Sequence, residues 1–534
     1  MTHAVAAART GAPLGVRGPV AVEAHQVGRL AGGRAILERV SFTLVAGELV
    51  AVLGPSGAGK STLIEVLCGI TRPDRGQLLV GGLEPAGLQG QVGYVPQHDV
   101  APLQLTLREA LEDAAALRAP ALLASPVELE ARLCALAARL GLSARLDERL
   151  GRLSGGERRR ASLALELVGD PRLLVVDEVT SGLDAAAERR VIEALRAVAD
   201  AGTTVVAITH TLATLPLFDR VLLLHGGRLV WDGPLPEALR HFQVAAPEAL
   251  YARLQARAPE AWAAALGTRV DPRVALAAPP PASALPAGLP GPSGLHQLLP
   301  RLRRQLRLTR REGWSLLLLL GQAPLIAALI AFAYDGAAAA GRAELGFKLA
   351  LAAIWLGCVG SCQELVKERD LYRHERLAGL SRPAYLLAKL TGVALLAAVQ
   401  GGALGLVVLL LEPGLSAAPL DLLPGLVAAA LSGAALGLLV SALVSTRTAA
   451  VGLTPLLLVP QILFVGTLAP LSGVAAGLSR LMPSHWAELA VRAALGGRGP
   501  APGEVLVLLG FAAVWALVAA GAVAARDALG RGGR

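Results

Sequence analysis

Two patterns divide the chain. Between about residues 18 and 245, short aliphatic runs alternate with stretches of helical character; Leu49–Leu53, Leu173–Val176, Thr204–Ile208 and Val221–Leu224 are such runs. Runs apolar at nearly every position and separated by helices predict parallel strands covered on both faces. Downstream, long apolar stretches lie at about 314–334, 345–363, 384–411, 422–445, 449–471 and 503–525. A helix needs about 20 mostly apolar residues to cross ~30 Å of hydrocarbon, and each stretch is long enough. Periodicity does not separate a buried core helix from a span. Length and number do, because six such stretches cannot be the core of one modest domain. The expected architecture is an α/β domain followed by an all-α membrane domain of six transmembrane helices.

The boundaries follow from composition. Ala275–Gly294 is a Pro/Ala/Gly run with no means of building a core. The expected division is an α/β domain at 18–245, a linker at 246–295 that is Pro/Ala-rich from 275, and a membrane domain at 296–534. The last opens on a basic helix at 296–312, which contains Arg301–Arg311. Met1–Val22 has no continuous apolar segment of the secretory kind, so the start of the chain is expected in the cytoplasm.

Charge then fixes orientation. The chain is 54% hydrophobic and carries a formal net charge of +9. Basic residues gather before the first span, between the second and third (Lys367, Arg369, Arg373, Arg376, Arg382, Lys389), and after the last (Arg526, Arg531, Arg534). Positive charge marks the cytoplasmic side, which places both ends inside and makes membrane lipid the expected surroundings. Arg480, Arg492 and Arg498, in the last outer loop, run against this bias. Topology accounts for most of the positive charge, so nucleic acid is not an expected partner. The four cysteines form no CxxC pair; Cys358 and Cys362 share one face of an apolar helix and read as buried thiols.

The chemistry sits in the first domain. Gly54-Pro55-Ser56-Gly57-Ala58-Gly59-Lys60-Ser61-Thr62 follows the strand Leu49–Leu53 and fits the phosphate-loop pattern GxxxxGK[ST]. Its glycines let successive backbone N–H groups curl around a phosphate. Lys60 would reach the β- and γ-phosphates, Ser61 would ligate Mg²⁺, and the following helix adds the positive end of its dipole. A second strand, Leu173–Asp177, ends in Asp177 and Glu178. Two adjacent acids at a buried strand end are costly without a cation. Asp177 is expected to hold Mg²⁺ through water, and Glu178 to polarise the attacking water.

Further motifs carry a resemblance. Leu153-Ser154-Gly155-Gly156-Glu157 matches the signature motif of ABC proteins, upstream of Asp177 as in that superfamily. Gln97 matches its Q-loop, Ser181–Asp184 its D-loop and His210 its switch histidine. The first domain thus resembles an ABC ATPase, a P-loop NTPase of α/β fold that binds ATP and Mg²⁺. The resemblance implies Gln97 as a further Mg²⁺ ligand and His210 on the γ-phosphate. It also implies a head-to-tail dimer in which Ser154, Gly155, Gly156 and Asp184 of one chain close on ATP held by the other. One departure stands out: Leu30 or Ala31 occupies the place where ABC proteins often stack an aromatic ring on adenine.

The membrane half resembles the G (white/pleiotropic-drug) subfamily of half-transporters and its bacterial ABC-2-type relatives. Three features carry this: the domain order, the loop Glu364–Leu390 with its E…ER…Y..E pattern, and Met482–Ala493 before the last span. The resemblance implies that the loop includes a coupling helix contacting the nucleotide domain, and that Arg301–Arg311 is a connecting helix. Glu364 and Glu368 are expected to pair with arginines of that helix.

The expected function is ATP-driven export of a hydrophobic or amphipathic cargo across the cytoplasmic membrane by a dimer, most simply a homodimer. The span centres carry few charges, which suits such a cargo better than a small ion. Gln322, Gln400 and Gln461 are candidates for cavity lining or for interhelical hydrogen bonds. The alternative is a membrane-anchored ATPase that transmits force or signals to a partner.

Overall fold

The computed structural model describes residues 22–88, 90–178, 183–266, 294–333, 339–412, 415, 419–465, 471–497 and 501–532. The chain forms two compact units, the first running to Gly291 and including Leu377–Gly379, the second comprising Pro292–Arg376 and Leu380–Arg531.

The first unit is built on two sheets. Its larger sheet runs β5 (Val92–Val95), β6 (Leu173–Asp177), β7 (Thr204–Ile208), β3 (Leu49–Leu53), β8 (Arg220–His225) and β9 (Arg228–Gly233). All neighbours are parallel except β8 and β9. Every residue of β3 and β7 is buried, which is why their sequences read as unbroken apolar runs. The smaller antiparallel sheet orders β2 (Arg34–Leu44), β1 (Val22–Ala31) and β4 (Arg75–Val80). Helices α1 (Lys60–Leu67), α2 (Leu107–Arg118), α3 (Pro126–Arg139), α4 (Gly155–Leu167) and α5 (Ala185–Asp200) link the strands.

Past β9 come α6 (Leu235–Phe242), α7 (Ala249–Gln255) and α8 (Pro259–Leu266). The last two fall where a linker is expected from residue 246, and that expectation fails here. Trp262 is buried, its ring 4.9 Å from Phe242, which in turn lies 6.2 Å from Trp231 of β9. Burying two Trp and a Phe yields far more than a linker needs, and it folds the segment onto the sheet edge. The Pro/Ala-rich run from 275 lies outside the described residues.

The second unit is all helical. It contains α9 (Gly294–Arg311), α10 (Trp314–Phe332), α11 (Ala339–Ser361), α12 (Arg369–Leu377), α13 (Arg382–Leu411), α14 (Pro419–Leu443), α15 (Arg447–Leu463), α16 (Gly473–Ser479), α17 (Pro483–Leu495) and α18 (Pro502–Gly532). Five helices among the described residues are long and apolar enough to span a membrane: α10, the run containing α11, α13, α14 and α18. The sixth expected stretch, 449–471, forms the shorter apolar α15, and residues 466–470 lie outside the described set.

Burial orders the bundle. The spanning windows of α14 and α11 are 78% and 67% buried, whereas those of α10 and α18 are 17% and 11% buried. The central pair packs on small residues. A Cβ at Gly433 would overlap the Ile354 carbonyl, one at Gly437 the Cys358 carbonyl, and one at Gly357 the Ala430 carbonyl. Backbones this close require glycine on both helices. Gly433→Val is expected to cost at least the ~1–3 kcal/mol of ordinary overpacking. A lower thermal midpoint and yield in detergent would register it; an unchanged midpoint would mean that the two helices do not meet here.

Two glutamines inside the bundle join helices. Gln400 donates from Nε2 to the Leu319 carbonyl at 2.7 Å. Gln461 accepts from the Ser484 N–H at 3.1 Å, tying α15 to the start of α17. Both are interhelical bonds. Cys358 and Cys362 are buried and free, as expected.

The expected pairing of Glu364 and Glu368 with arginines of the connecting helix is not what forms. Glu364 meets Lys367 at 2.5 Å and Lys389 at 3.3 Å, and Glu368 meets Lys389 at 2.8 Å. Arg301 and Arg304 of α9 converge instead on Glu375 of α12, Arg301 at 2.6 Å. Packing between helices makes the exchange: Glu368 lies before α12 beside Lys389 of α13, while Glu375 lies within α12 against α9.

Candidate functional site

The carboxyl ends of four neighbouring parallel strands supply the site. Register aligns them: Val52 pairs with Ile208, Asp177 with Ile208, and Val95 with Val176. Gly54 therefore leaves β3, Asp177 ends β6, His210 follows β7 and Gln97 follows β5 along one edge of the sheet. Loops at this edge are where ligands settle in open α/β sheets.

The loop Gly54–Gly59 turns from β3 into α1. Gly59 has φ 95° and caps the helix, and a Cβ there would stand 2.8 Å from the Ile36 carbonyl oxygen. Only glycine takes that conformation in that space. The α1 N-terminus so formed presents Lys60, Ser61 and Thr62 with unpaired backbone N–H groups, a ready seat for an anion. Lys60 is buried, and its Nζ donates to the carbonyls of Gly54 at 2.8 Å and Pro55 at 3.1 Å. Burial lowers its pKa, while Glu178 and Asp177 pull the other way.

Glu178 is the hub. Its backbone is in the left-handed region, φ 48°, which a non-glycine residue adopts at a cost of order 1–3 kcal/mol. That turn directs the carboxylate so that Gln97 Nε2 donates to Oε2 at 2.9 Å and His210 Nε2 meets Oε1 at 2.5 Å. Beside it, Asp177 is pushed up to about 6 by burial, then by the carboxylates of Glu178 and Glu65, with Lys60 and His210 opposing. Crowded acids whose ionisation is resisted gain most from a bound cation. The donor set is all hard oxygen, from Asp177, the Ser61 hydroxyl and the Gln97 amide, which fits Mg²⁺.

The signature residues stand apart. Ser154 caps α4 with a full capping box: its Oγ accepts from the Glu157 N–H at 3.3 Å, and Glu157 Oε2 accepts from the Ser154 N–H at 2.9 Å. The Ser154 N–H, then its hydroxyl and Arg145, hold the Glu157 carboxyl down at about 2. Asp184 caps α5 through its side chain, accepting from the Ala187 N–H at 2.7 Å. Among the described residues no hydrogen bond or ion pair joins Ser154, Gly155, Gly156 or Asp184 to the Lys60–Glu178 cluster. Ser181 lies outside the described residues. Leu30, at the position expected to lack an adenine-stacking ring, is exposed at the end of β1.

Three further residues bear on the site. Asp99, two residues past Gln97, accepts from Arg159 Nη1 at 3.1 Å and Ser162 Oγ at 3.2 Å, fastening the Gln97 loop to the signature helix α4. Glu65 is the second carboxylate acting on Asp177, after Glu178. Tyr251 of α7, half-buried, lies beside the Gly54 backbone; burial pushes its phenol up and that backbone pulls the other way. Asp99 lies two residues from Gln97 in the sequence. Glu65 sits just beyond the first turn of α1, and Tyr251 carried no signal because its segment read as linker.

Known proteins share this organisation. The ABC transporter family matches residues 37–181, and the ABC-2 type transporter family matches residues 296–495. The "ABC transporter ATP-binding/permease protein Rv1747" of Mycobacterium tuberculosis is 34% identical over 488 residues, covering 85% of this chain. This chain spans 55% of that protein's length. The "Nod factor export ATP-binding protein I" of Rhizobium johnstonii is 35% identical over 240 residues, 44% of this chain and 76% of that protein. The "Broad substrate specificity ATP-binding cassette transporter ABCG2" of Bos taurus is 39% identical over 204 residues, 36% of this chain and 31% of that protein. The phosphate loop, the paired acids at the end of β6 and the apolar helical unit that follows therefore have one origin: the chain belongs to the ABC transporter family, with an ABC ATPase domain fused on the N-terminal side of a multi-pass ABC-2 type membrane domain.

Proposed function

We propose that the protein is an ATP-hydrolysing half-transporter that exports a hydrophobic or amphipathic cargo across the cytoplasmic membrane as a dimer. One observation carries the reading: Lys60, Asp177, Glu178, Gln97 and His210 converge on one sheet edge in a chain whose second half holds five helices fit to span a membrane. In this reading Gly54–Thr62 cradle the phosphates and Lys60 neutralises their charge. Ser61, Gln97 and Asp177 would hold Mg²⁺, which when bound adds charge neutralisation at the phosphates. Glu178 orients and accepts a proton from the attacking water, and His210 holds both Glu178 and the γ-phosphate region. Ser154, Gly155, Gly156 and Asp184 face a second chain and complete its site.

The ATPase domain and the basic connections lie in the cytoplasm, and α12 is the coupling helix. Export is favoured by the relatives whose names state it, and the cargo class by exposed apolar faces and few charges at the span centres. Reconstituted protein screened for ATPase stimulation is expected to respond to apolar amphiphiles and not to small hydrophilic solutes. Stimulation confined to a hydrophilic solute would overturn the cargo assignment.

A further inference from the structure

The α11–α13 connection, which contains α12, is held from behind by α18. Asp527 Oδ2 accepts from the Tyr372 hydroxyl at 2.8 Å and from Arg382 Nε at 2.7 Å, with Arg376 Nε at 3.7 Å. Tyr372 and Arg376 belong to this connection, and Arg382 opens α13 at its end. Tyr372 is buried, and its ring lies 4.5 Å from that of Tyr385 at the start of α13. The neighbouring Arg526 donates to the carbonyls of Val444 at 2.9 Å and Leu443, at the end of α14. Arg369, the first residue of α12, reaches the same carbonyl end through Val444 and Ser445, the latter at 3.1 Å. Three residues on from Tyr372, at a neighbouring position of α12, Glu375 is bonded to Arg301 and Arg304. Two carboxylates thus fasten α12, Glu375 to α9 and Asp527 to α18.

The loop is rich in arginine, and that is what makes Asp527 decisive. Without its carboxylate, Arg382 Nε and the Tyr372 hydroxyl lose their acceptor, the latter in a partly buried place. Charge-assisted bonds of this kind are the stronger ones. A positive-inside flank needs only loose charge near the membrane. It does not need one acid that gathers a tyrosine and two arginines from Tyr372–Arg382.

We infer that Asp527 is a positioning residue that locks the cytoplasmic end of α18 to the Tyr372–Arg382 connection, so that α12 and the last span move as one body when the nucleotide state changes. The inference rests on the reading of α12 as the coupling helix. Its test uses the full chain in lipid nanodiscs carrying Asp527→Asn, Asp527→Glu or Tyr372→Phe. Three quantities are measured: hydrogen exchange of residues 369–382, ATP turnover, and the effect of ATP on maleimide labelling of Val474→Cys. Val474 is 80% exposed in α16, on the outer side in the proposed topology.

Asp527→Asn and Tyr372→Phe are expected to speed exchange of the loop by about tenfold, the scale of one lost charge-assisted bond. ATP turnover should stay within about twofold while the ATP-dependent change in labelling disappears, and Asp527→Glu should restore part of it. Unchanged exchange overturns the lock. Faster exchange with the labelling response intact overturns the transmitting role and leaves Asp527 structural. An absent labelling response in the chain with native Asp527 would count against the transporter reading itself, and the exchange result would still judge the lock by its own measure.

Discussion

Glu178→Gln is expected to bind ATP within about twofold of the native chain and to hydrolyse it at least ~10²-fold more slowly, the span of general acid–base contributions being about 10²–10⁴. The amide keeps the shape of the side chain and still has one oxygen to accept from Gln97 or His210. It cannot take a proton from water. The groups that would grip the triphosphate, the N–H groups of the loop between β3 and α1 and Lys60 itself, are untouched. Binding and turnover should therefore separate. Fluorescent-nucleotide titration and phosphate release measure the two, and a variant that turns over ATP at the native rate would remove Glu178 from the chemistry. The left-handed backbone at Glu178 adds a control, since glutamine tolerates that conformation no worse and the fold should be intact.

Lys60→Ala should act on both quantities. The Lys60 ammonium is buried against the Gly54 and Pro55 carbonyls and balances Asp177 and Glu178. A phosphate would offer it a better partner than those carbonyls. Losing one bond to a charged group costs about 1.5–3 kcal/mol, or roughly 10- to 150-fold in ATP affinity. Turnover should fall by a further ~10²-fold as charge stabilisation of the transferred phosphoryl group is lost. Affinity unchanged within twofold would contradict the assignment of Gly54–Thr62 as the phosphate seat. Lys60→Arg is expected to recover little, because a planar fork does not fit a pocket shaped around a point charge.

Much of this site was legible in the sequence because its geometry is local. A phosphate loop is a strand, a glycine turn and a helix start in unbroken order, and Leu49–Leu53 followed by α1 at Lys60 realises it. Leu173–Asp177 and Thr204–Ile208 were readable as strands because burial on both faces leaves no alternation to misread. What the sequence did not disclose depends on contacts between distant residues. The helices at 249–266 looked like linker because the tryptophan that anchors them meets its partners only in the folded sheet edge. Likewise, the acids Glu364, Glu368 and Glu375 are equivalent on paper. Helix packing alone decides that Glu375 takes the arginines of α9 and Lys389 takes the other two. The clamp on α12 by Asp527 spans 145 residues to Arg382, and no local pattern announces it.

The central claim is that ATP hydrolysis at this site moves an amphipathic molecule across the membrane. The direct measurement is flux of a fluorescent phospholipid and of a hydrophobic dye in proteoliposomes, compared between the native chain and Glu178→Gln. ATP-dependent movement of at least one probe by the native chain, and none by the variant, is the predicted result. Hydrolysis at a normal rate with no movement of either probe, or movement that persists undiminished in Glu178→Gln, would contradict it.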